Sequence, residues 1–600
     1  MSRCSVGTLA ILGLVLAGCA TGPTAPAPRE KRSGWCRPGQ SCWPRAADWQ
    51  RLRSRLTGKL EVPRAPLAPC SAGGASDACA AAIAGMKNPL GLQDDAAGAQ
   101  STGWLGAWTA APSAVAVAVE TPADVAAAVD FAREHRLRLV IKGTGHDYYG
   151  RSSAPDSLLV WTHRMRRITV HDSFVARGCP GAGPGVPAVT AEAGARWIEA
   201  YQAVTVEHGR YVQGGGCTSV GVAGGFIQGG GFGSWSKKYG TGAAGMLEAE
   251  VVTADGKRLV ANACQNQDLF WALRGGGGGT YGVVTSVTLM THALPSSFGL
   301  VVGSITATSD AAFKELLERF LRFYRERLSD EHWGEQVRIE GDNSLRLSMV
   351  FQGMSGAEAE QVWQPLRAWI DAHPDRVTMK ARFIALPGDR MWDFDYLNEH
   401  FPGVVRADPR PDQPARLFWW AGDEAEVSTY WYAYQSRWIP LDRFEGAEAA
   451  RFAAALFAAS RRWPVALHFN KGQAGASAEA LARDRETSMN PAVYRAAALA
   501  IIAAGTVAFP GAPGHEPDLA EGRAHRARVA AAARIIREAT PGAGTYVNEA
   551  DYFQPGWQRE FWGENYDRLL AIKRKYDPDG VFHCHHCVGS EHGPGRSGQR

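Results

Sequence analysis

Cys217 lies in the most glycine-dense stretch of the chain, residues 211–240 (YVQGGGCTSVGVAGGFIQGGGFGSWSKKYG), which carries no charge before Lys237. Glycine loses more backbone entropy on folding than any other residue. Such density in an apolar stretch therefore marks backbone pressed against another backbone, or against a flat ligand held by peptide N–H groups. A second turn, residues 143–150 (GTGHDYYG), carries His146, and a third spans residues 275–282 (GGGGGTYG). Successive N–H groups in such turns form anion nests suited to a pyrophosphate. Two of the turns thus pair a nest with a side chain, imidazole or thiol, able to share one ligand. Read alone, Cys217 is either a buried structural thiol or a group with a chemical task.

Other chemistries are excluded by pattern. The sequence has no G-x-S-x-G elbow, no Walker lysine and no H-E-x-x-H. Gly277-x-Gly279-x-x-Gly282 matches a dinucleotide fingerprint in letters, but that motif must follow a strand and open a helix. Here a helix is expected before it and a strand after it.

The elements that must hold these turns read as α+β. Thr121-Pro122 is a helix start, with Thr as cap and Pro at the first helical position, and the helix is expected over 122–135. Strands are expected over 137–142, 157–162 and 189–193, followed by a helix over 197–207. Residues 247–253 and 258–260 read as a hairpin about Asp255-Gly256, 268–273 as a short helix and 283–289 as a strand. After Leu294-Pro295 glycine thins, and strands (300–306, 336–340, 345–351, 377–383) alternate with helices (311–328, 357–372). Trp, Tyr and Phe concentrate from 392 to 438, as core more than pocket. Helices are expected over 521–539 and 565–575.

Six hundred residues with 64 basic and 60 acidic side chains predict more than one domain and no nucleic-acid partner. Met1–Arg3, an apolar run over 8–17 and Leu16-Ala17-Gly18-Cys19 look like a bacterial lipobox. That predicts a signal peptide, lipid on Cys19, a Pro-rich tether over 20–34 and an oxidising compartment. Setting aside Cys4, Cys19 and Cys217 leaves eight of the 11 cysteines, an even number consistent with disulfides. Cys36/Cys42 and Cys70/Cys79 are the natural local pairs, with Cys179, Cys264, Cys584 and Cys587 left open. The cluster at 583–587 could pass for a metal site, but four neighbouring residues do not readily close one tetrahedron, and no metal is expected.

IKGTGHDYYGRS, GGGCTSVGVAGGFIQGGGFGSWSKKYG, DLFWALRGGGGGTYGVV and YVNEAD…NYDRLLAIKRKYDP together resemble the berberine-bridge-enzyme-like FAD-linked oxidases of the vanillyl-alcohol-oxidase superfamily. The resemblance implies a two-part PCMH-type FAD-binding domain plus an antiparallel-sheet substrate domain backed by helices. The expected division is a signal peptide 1–18, tether 19–34, disulfide-containing extension 35–104, FAD-binding domain 105–297, substrate domain 298–514, C-terminal return 515–590 and tail 591–600. It implies FAD bonded twice, by His146 to the 8α-methyl and by Cys217 to ring carbon 6. Gly143, Thr144, Gly145, Asp147, Gly150, Gly221, Gly224, Gly225, Gly230, Gly231, Gly233, Gly279, Gly282, Val283, Asn548 and Asn565 are implied as cofactor contacts. Asp147 also reads as turn chemistry.

In this class hydride passes from a substrate C–H to the flavin while a base takes the O–H or N–H proton, and dioxygen reoxidises the flavin to give hydrogen peroxide. Tyr148 matches an active-site tyrosine of relatives. Asn548-Glu549 stands where relatives carry Asn-Tyr, so Glu549 becomes a candidate base or substrate-amine anchor, against a plain pairing with a surface Arg. His468, Asn470 and Lys471 are candidates for the cleft's second wall, although a strand end explains them too. Lys237-Lys238 reads as a solvated edge. The expected partners are a small-molecule substrate and dioxygen. A dehydrogenase using another acceptor, and an anchored flavin-binding protein without turnover, are the competing readings.

Overall fold

The computed structural model describes residues 34–71, 76–179 and 183–592. The lipobox with Cys19 and most of the tether lie outside the described residues. Helix Pro122–His135 begins as its sequence predicts: Thr121 Oγ1 accepts from Asp124 N (3.2 Å), and Asp124 Oδ2 accepts from Thr121 N (3.2 Å). Asp124 is buried because its carboxylate also accepts from Thr57 N and Gly58 N. This one capping box therefore fastens the N-terminal segment to the helix. Beside it runs a four-stranded sheet ordered Lys59–Glu61, Val115–Ala118, Ser157–Trp161, Arg138–Lys142, whose last three strands are parallel.

A second, antiparallel sheet is ordered Arg258–Asn262, Met246–Val252, Val283–Ala293, Val186–Glu192, Ile168–Phe174, with Arg210–Val212 pairing the far end of Val283–Ala293. The hairpin about Asp255-Gly256 is present. The third glycine turn joins helix Gln267–Leu273 to strand Val283–Ala293, the order that excludes a dinucleotide fold.

The third sheet has nine strands, ordered Val377–Pro387, Ser297–Ala307, Ser344–Gln352, Trp333–Ile339, Val465–His468, Ala496–Val507, Thr429–Pro440, Ser101–Trp104, Trp108–Thr109. Helices Asp310–Phe323, Gly446–Ser460 and Leu519–Ala539 pack on one face, burying Phe313, Leu317, Phe452, Leu456, Val529 and Ile536.

The expected boundaries shift in two places. Residues 35–104 are no appendage, because Lys59–Glu61 joins the first sheet and Ser101–Trp104 lies parallel to Thr429–Pro440 in the third. Helix Leu519–Ala539 packs on the third sheet rather than on the FAD-binding side, because its small apolar stripe fits strands Thr429–Pro440 and Ala496–Val507. Expected helix 357–372 is two helices, Gly356–Val362 and Gln364–Asp371, since Pro365 supplies no N–H to continue the first. The helices expected at 197–207 and 311–328 each end in a wider π-type turn.

Among the described residues four disulfides join Cys36–Cys42, Cys70–Cys79, Cys179–Cys264 and Cys584–Cys587. The third spans 85 residues, a loop whose closure is worth on the order of 4 kcal/mol in the chain-entropy account. Cys217 is a free thiol.

Candidate active site

The three glycine turns meet. Thr144 Oγ1 accepts from Gly221 N at 3.0 Å, tying the first turn to the second. A Cβ on Gly278 would stand 2.8 Å from Gly225 Cα, so the third turn lies against the second as only glycines allow. Asn548 closes the set, its Nδ2 donating to Gly225 O (2.8 Å) and its Oδ1 accepting from Arg151 (3.5 Å).

The glycines divide by what surrounds them. A Cβ on Gly216, Gly224 or Gly225 meets no atom within 4 Å, so these open onto a groove. Gly231 packs on Gly242, Gly233 on Gly214 O, Gly282 on Val251 and Val252, Gly230 on Met489, Gly143 on Ala193 O and Gly150 on Trp108. These six serve close packing among the elements that shape the groove. Gly145 turns at φ +80 and Gly279 at φ +72. Asp147 accepts from Tyr149 N, Arg151 N and Arg151 Nε, which is turn chemistry. Val283 is buried at the start of its strand, and Asn565 donates to Met489 O at 2.8 Å, the residue on which Gly230 packs.

His146 is half-buried, with Nε2 2.9 Å from Ser219 Oγ. Burial, then Arg196, pushes its pKa down to about 4, so the imidazole is neutral near pH 7. Behind it Gln93 Nε2 donates to Ser219 O at 2.5 Å. Arg196 is 2.6 Å from Asp94, which also binds His163 and Arg410 at 2.7 Å each. Cys217 Sγ stands 3.7 Å from Asp423 Oδ1. Burial, then Asp423 and Glu426, raises its thiol pKa well above the ordinary value.

The far wall comes from the third sheet. Tyr148 packs between Trp431 and Tyr434, ring centroids 4.8 and 5.3 Å away, and its hydroxyl donates to Glu426 Oε2 at 3.1 Å. A bulge between Trp431 and Ala433 places Trp431 and Tyr434, three apart, on one face. Glu426 is exposed by area, a side chain that lines an open cleft, where desolvation by the cleft walls, then Glu549, raises its pKa. Glu549 pairs with Lys471, a lysine inside the cleft, and not with the surface Arg of the alternative reading. Of the suggested second wall, Lys471 makes that contact and His468 is held far below its usual pKa by burial and then Lys471. Glu335 (φ +58) binds Ser234 Oγ across the same space.

Lys237 is not a solvated edge. It is 1% exposed, donates to Phe469 O, and is pushed by burial to about 7. Its aliphatic stem is consumed in packing the second glycine stretch on the third sheet.

Sequence reasoning missed Asp423, Glu426, Glu335 and Tyr434. Asp423 and Glu426 lie in AGDEAEVS, which reads as an exposed acidic turn. Only the fold carries that turn over Cys217.

The donor set fits FAD. A glycine-floored groove, a neutral imidazole and a free thiol share one space, and the buried Gln228 Oε1 and Thr280 Oγ1 of these turns have no protein partner among the described residues. The chain matches an FAD binding domain over residues 112–262 and a berberine and berberine-like segment over 545–589. The VAO-type flavoprotein oxidase VAO615 of Thermothelomyces thermophilus is 31% identical over 614 residues, 96% of each chain. The crystal structure of MtVAO615 from Myceliophthora thermophila C1 superposes with a TM-score of 0.73 at 26% identity, over 93% of this chain and 97% of that one. Glucooligosaccharide oxidase from Acremonium strictum, which carries a 6-S-cysteinyl, 8α-N1-histidyl FAD, shares the fold with a TM-score of 0.60 at 21% identity, over 80% of this chain and 92% of that one. By these matches and its own site, the chain belongs to the berberine-bridge-enzyme-like, VAO-type family of FAD-linked oxidoreductases.

Proposed function

We propose that the protein is an oxidase of an exported small molecule, an alcohol, sugar or aromatic metabolite, with FAD bonded to both His146 and Cys217 and dioxygen reduced to hydrogen peroxide. The observation that carries this reading is the Tyr148–Glu426 contact of 3.1 Å in the same cleft as Cys217. When bound, the flavin supplies the hydride acceptor. The chain supplies the proton path. Burial, then Glu426, holds the Tyr148 phenol well above its ordinary pKa, so it donates a hydrogen bond rather than serving as a tyrosinate base. Glu426, with a raised pKa of its own, takes the substrate proton. Glu549, engaged by Lys471, positions substrate instead of acting as base. The doubly linked FAD of Acremonium strictum glucooligosaccharide oxidase supports the attachment at His146 and Cys217.

A panel of alcohols, sugars and aromatic alcohols, read by peroxide release, tests the oxidase. Substrate that bleaches the flavin without oxygen uptake would make it a dehydrogenase, and no bleaching with any compound would favour a binding protein. Lipid on Cys19 is proposed from Leu16-Ala17-Gly18-Cys19 alone. Labelled palmitate should mark the wild type and not Cys19→Ser, and equal labelling removes the anchor.

A further inference from the structure

Two contacts lay one turn of the third-sheet domain over the Cys217 loop. Strand Phe418–Trp420 runs into the 3₁₀ turn Ala421–Ala425. Thr218 Oγ1 donates to Phe418 O at 2.8 Å, and the neighbouring Cys217 thiol donates to Asp423 Oδ1 at 3.7 Å. Asp423 Oδ2 is buried with no hydrogen-bond partner among the described residues. Glu424, next in sequence, turns away to accept from Trp419 Nε1 at 3.2 Å.

From this juxtaposition we propose that Asp423 is the base that takes the Cys217 thiol proton when the sulfur is joined to the flavin ring, an inference that rests on the covalent attachment proposed above. A thiol is a weak nucleophile until its proton leaves, and Cys217 sits where burial and three carboxylates oppose a free thiolate. The proton must therefore go to a partner already in contact. Three carboxylates face the sulfur, Asp423, Glu426 and Glu335. Glu426 is held by Tyr148 and Glu335 by Ser234, and Asp423 alone touches Sγ. Asp423 meets Cys217, Glu426, Glu335 and the Thr218 backbone. Burial, then Glu426, raises its pKa to about 7, which makes it a stronger base than an ordinary carboxylate and leaves part of it deprotonated near neutrality. In the step one S–C bond forms while the S–H and a ring C–H bond break. The two electrons pass into the ring and on to dioxygen, and the two protons, one by way of Asp423, complete hydrogen peroxide.

Wild type, Asp423→Asn, Asp423→Glu and Glu426→Gln are produced alike and digested, and mass spectrometry of the His146 and Cys217 peptides reads each bond separately. Wild type should carry both. Asp423→Asn should hold flavin at His146 with Cys217 free, the second bond then forming in air about 10²-fold more slowly and faster as pH is raised and hydroxide replaces the base. Asp423→Glu should restore the bond and Glu426→Gln should keep it. A fully bonded Cys217 in Asp423→Asn overturns the proposal. So does loss of both bonds in that variant, which would make Asp423 a structural support, or loss of the bond in Glu426→Gln with Asp423 intact. A wild type whose Cys217 carries no flavin refutes instead the covalent reading beneath it.

Discussion

Wild-type protein precipitated in acid is expected to give a yellow pellet, and the His146→Ala, Cys217→Ala double variant a colourless one. Acid unfolds the chain and abolishes every hydrogen bond and packing contact to the cofactor, so only covalent bonds keep colour with protein. Each single variant should keep its colour, because the other bond remains. The two side chains belong to different turns, joined through Thr144 and Gly221, so deleting one leaves the other's backbone in place. The double variant loses all covalent flavin. Whatever FAD it retains when folded rests on the groove glycines, and it should wash out in denaturant. In-gel fluorescence of the denatured chain gives the same answer independently. A colourless wild-type pellet sinks the attachment.

The second large effect concerns proton removal. Glu426→Gln is expected to slow anaerobic flavin reduction by about 10²–10⁴-fold, the usual contribution of a positioned base, while Glu549→Gln should change it less than about tenfold and act mainly on KM. Tyr148→Phe, which removes the donor to Glu426, should fall between them. The pH profile carries the sign. A base works deprotonated, and the Glu426 pKa is raised above its ordinary value by burial, then Glu549. The rate should therefore be full at high pH and be lost as pH falls through a midpoint above the normal glutamate range. Glu549→Gln should lower that midpoint, because it removes a like charge. Stopped-flow reduction with any substrate from the peroxide panel measures all of this. Should Glu549→Gln prove the crippled variant and Glu426→Gln run normally, the base is Glu549.

What could be read without coordinates was whatever short-range pattern encodes. The capping box at Thr121, the hairpin at Asp255-Gly256 and the turns bearing His146 and Cys217 are written in contiguous residues, and they stand where expected. The far wall is not written that way. Tyr148 meets Glu426 across 278 residues and Trp431 through a bulge that inverts the strand's alternation, and neither leaves a local mark. Lys237 was misread for the same reason. A lysine beside a second lysine looks solvated until a strand end more than 200 residues away supplies the carbonyl it binds.

The parallel strand Ser101–Trp104 carries a consequence for how the protein can be made or trimmed. It lies beside Thr429–Pro440, and Ser101 Oγ accepts from the Trp431 indole at 3.1 Å, directly behind the ring on which Tyr148 packs. That pairing must wait for more than 300 residues of later chain, the long-range closure that slows folding. The wall behind Tyr148 is therefore among the last parts that can become rigid. A chain cut to begin at the FAD binding match, residue 112, would lose the strand that braces Trp431 and, with it, Gln93 and Asp94 behind His146 and the Trp108 ring on which Gly150 packs. The stretch recognisable as a flavin domain is thus shorter than the unit that holds the site together, and shuffling or minimising this enzyme at the recognisable boundary would unbrace both walls of the cleft.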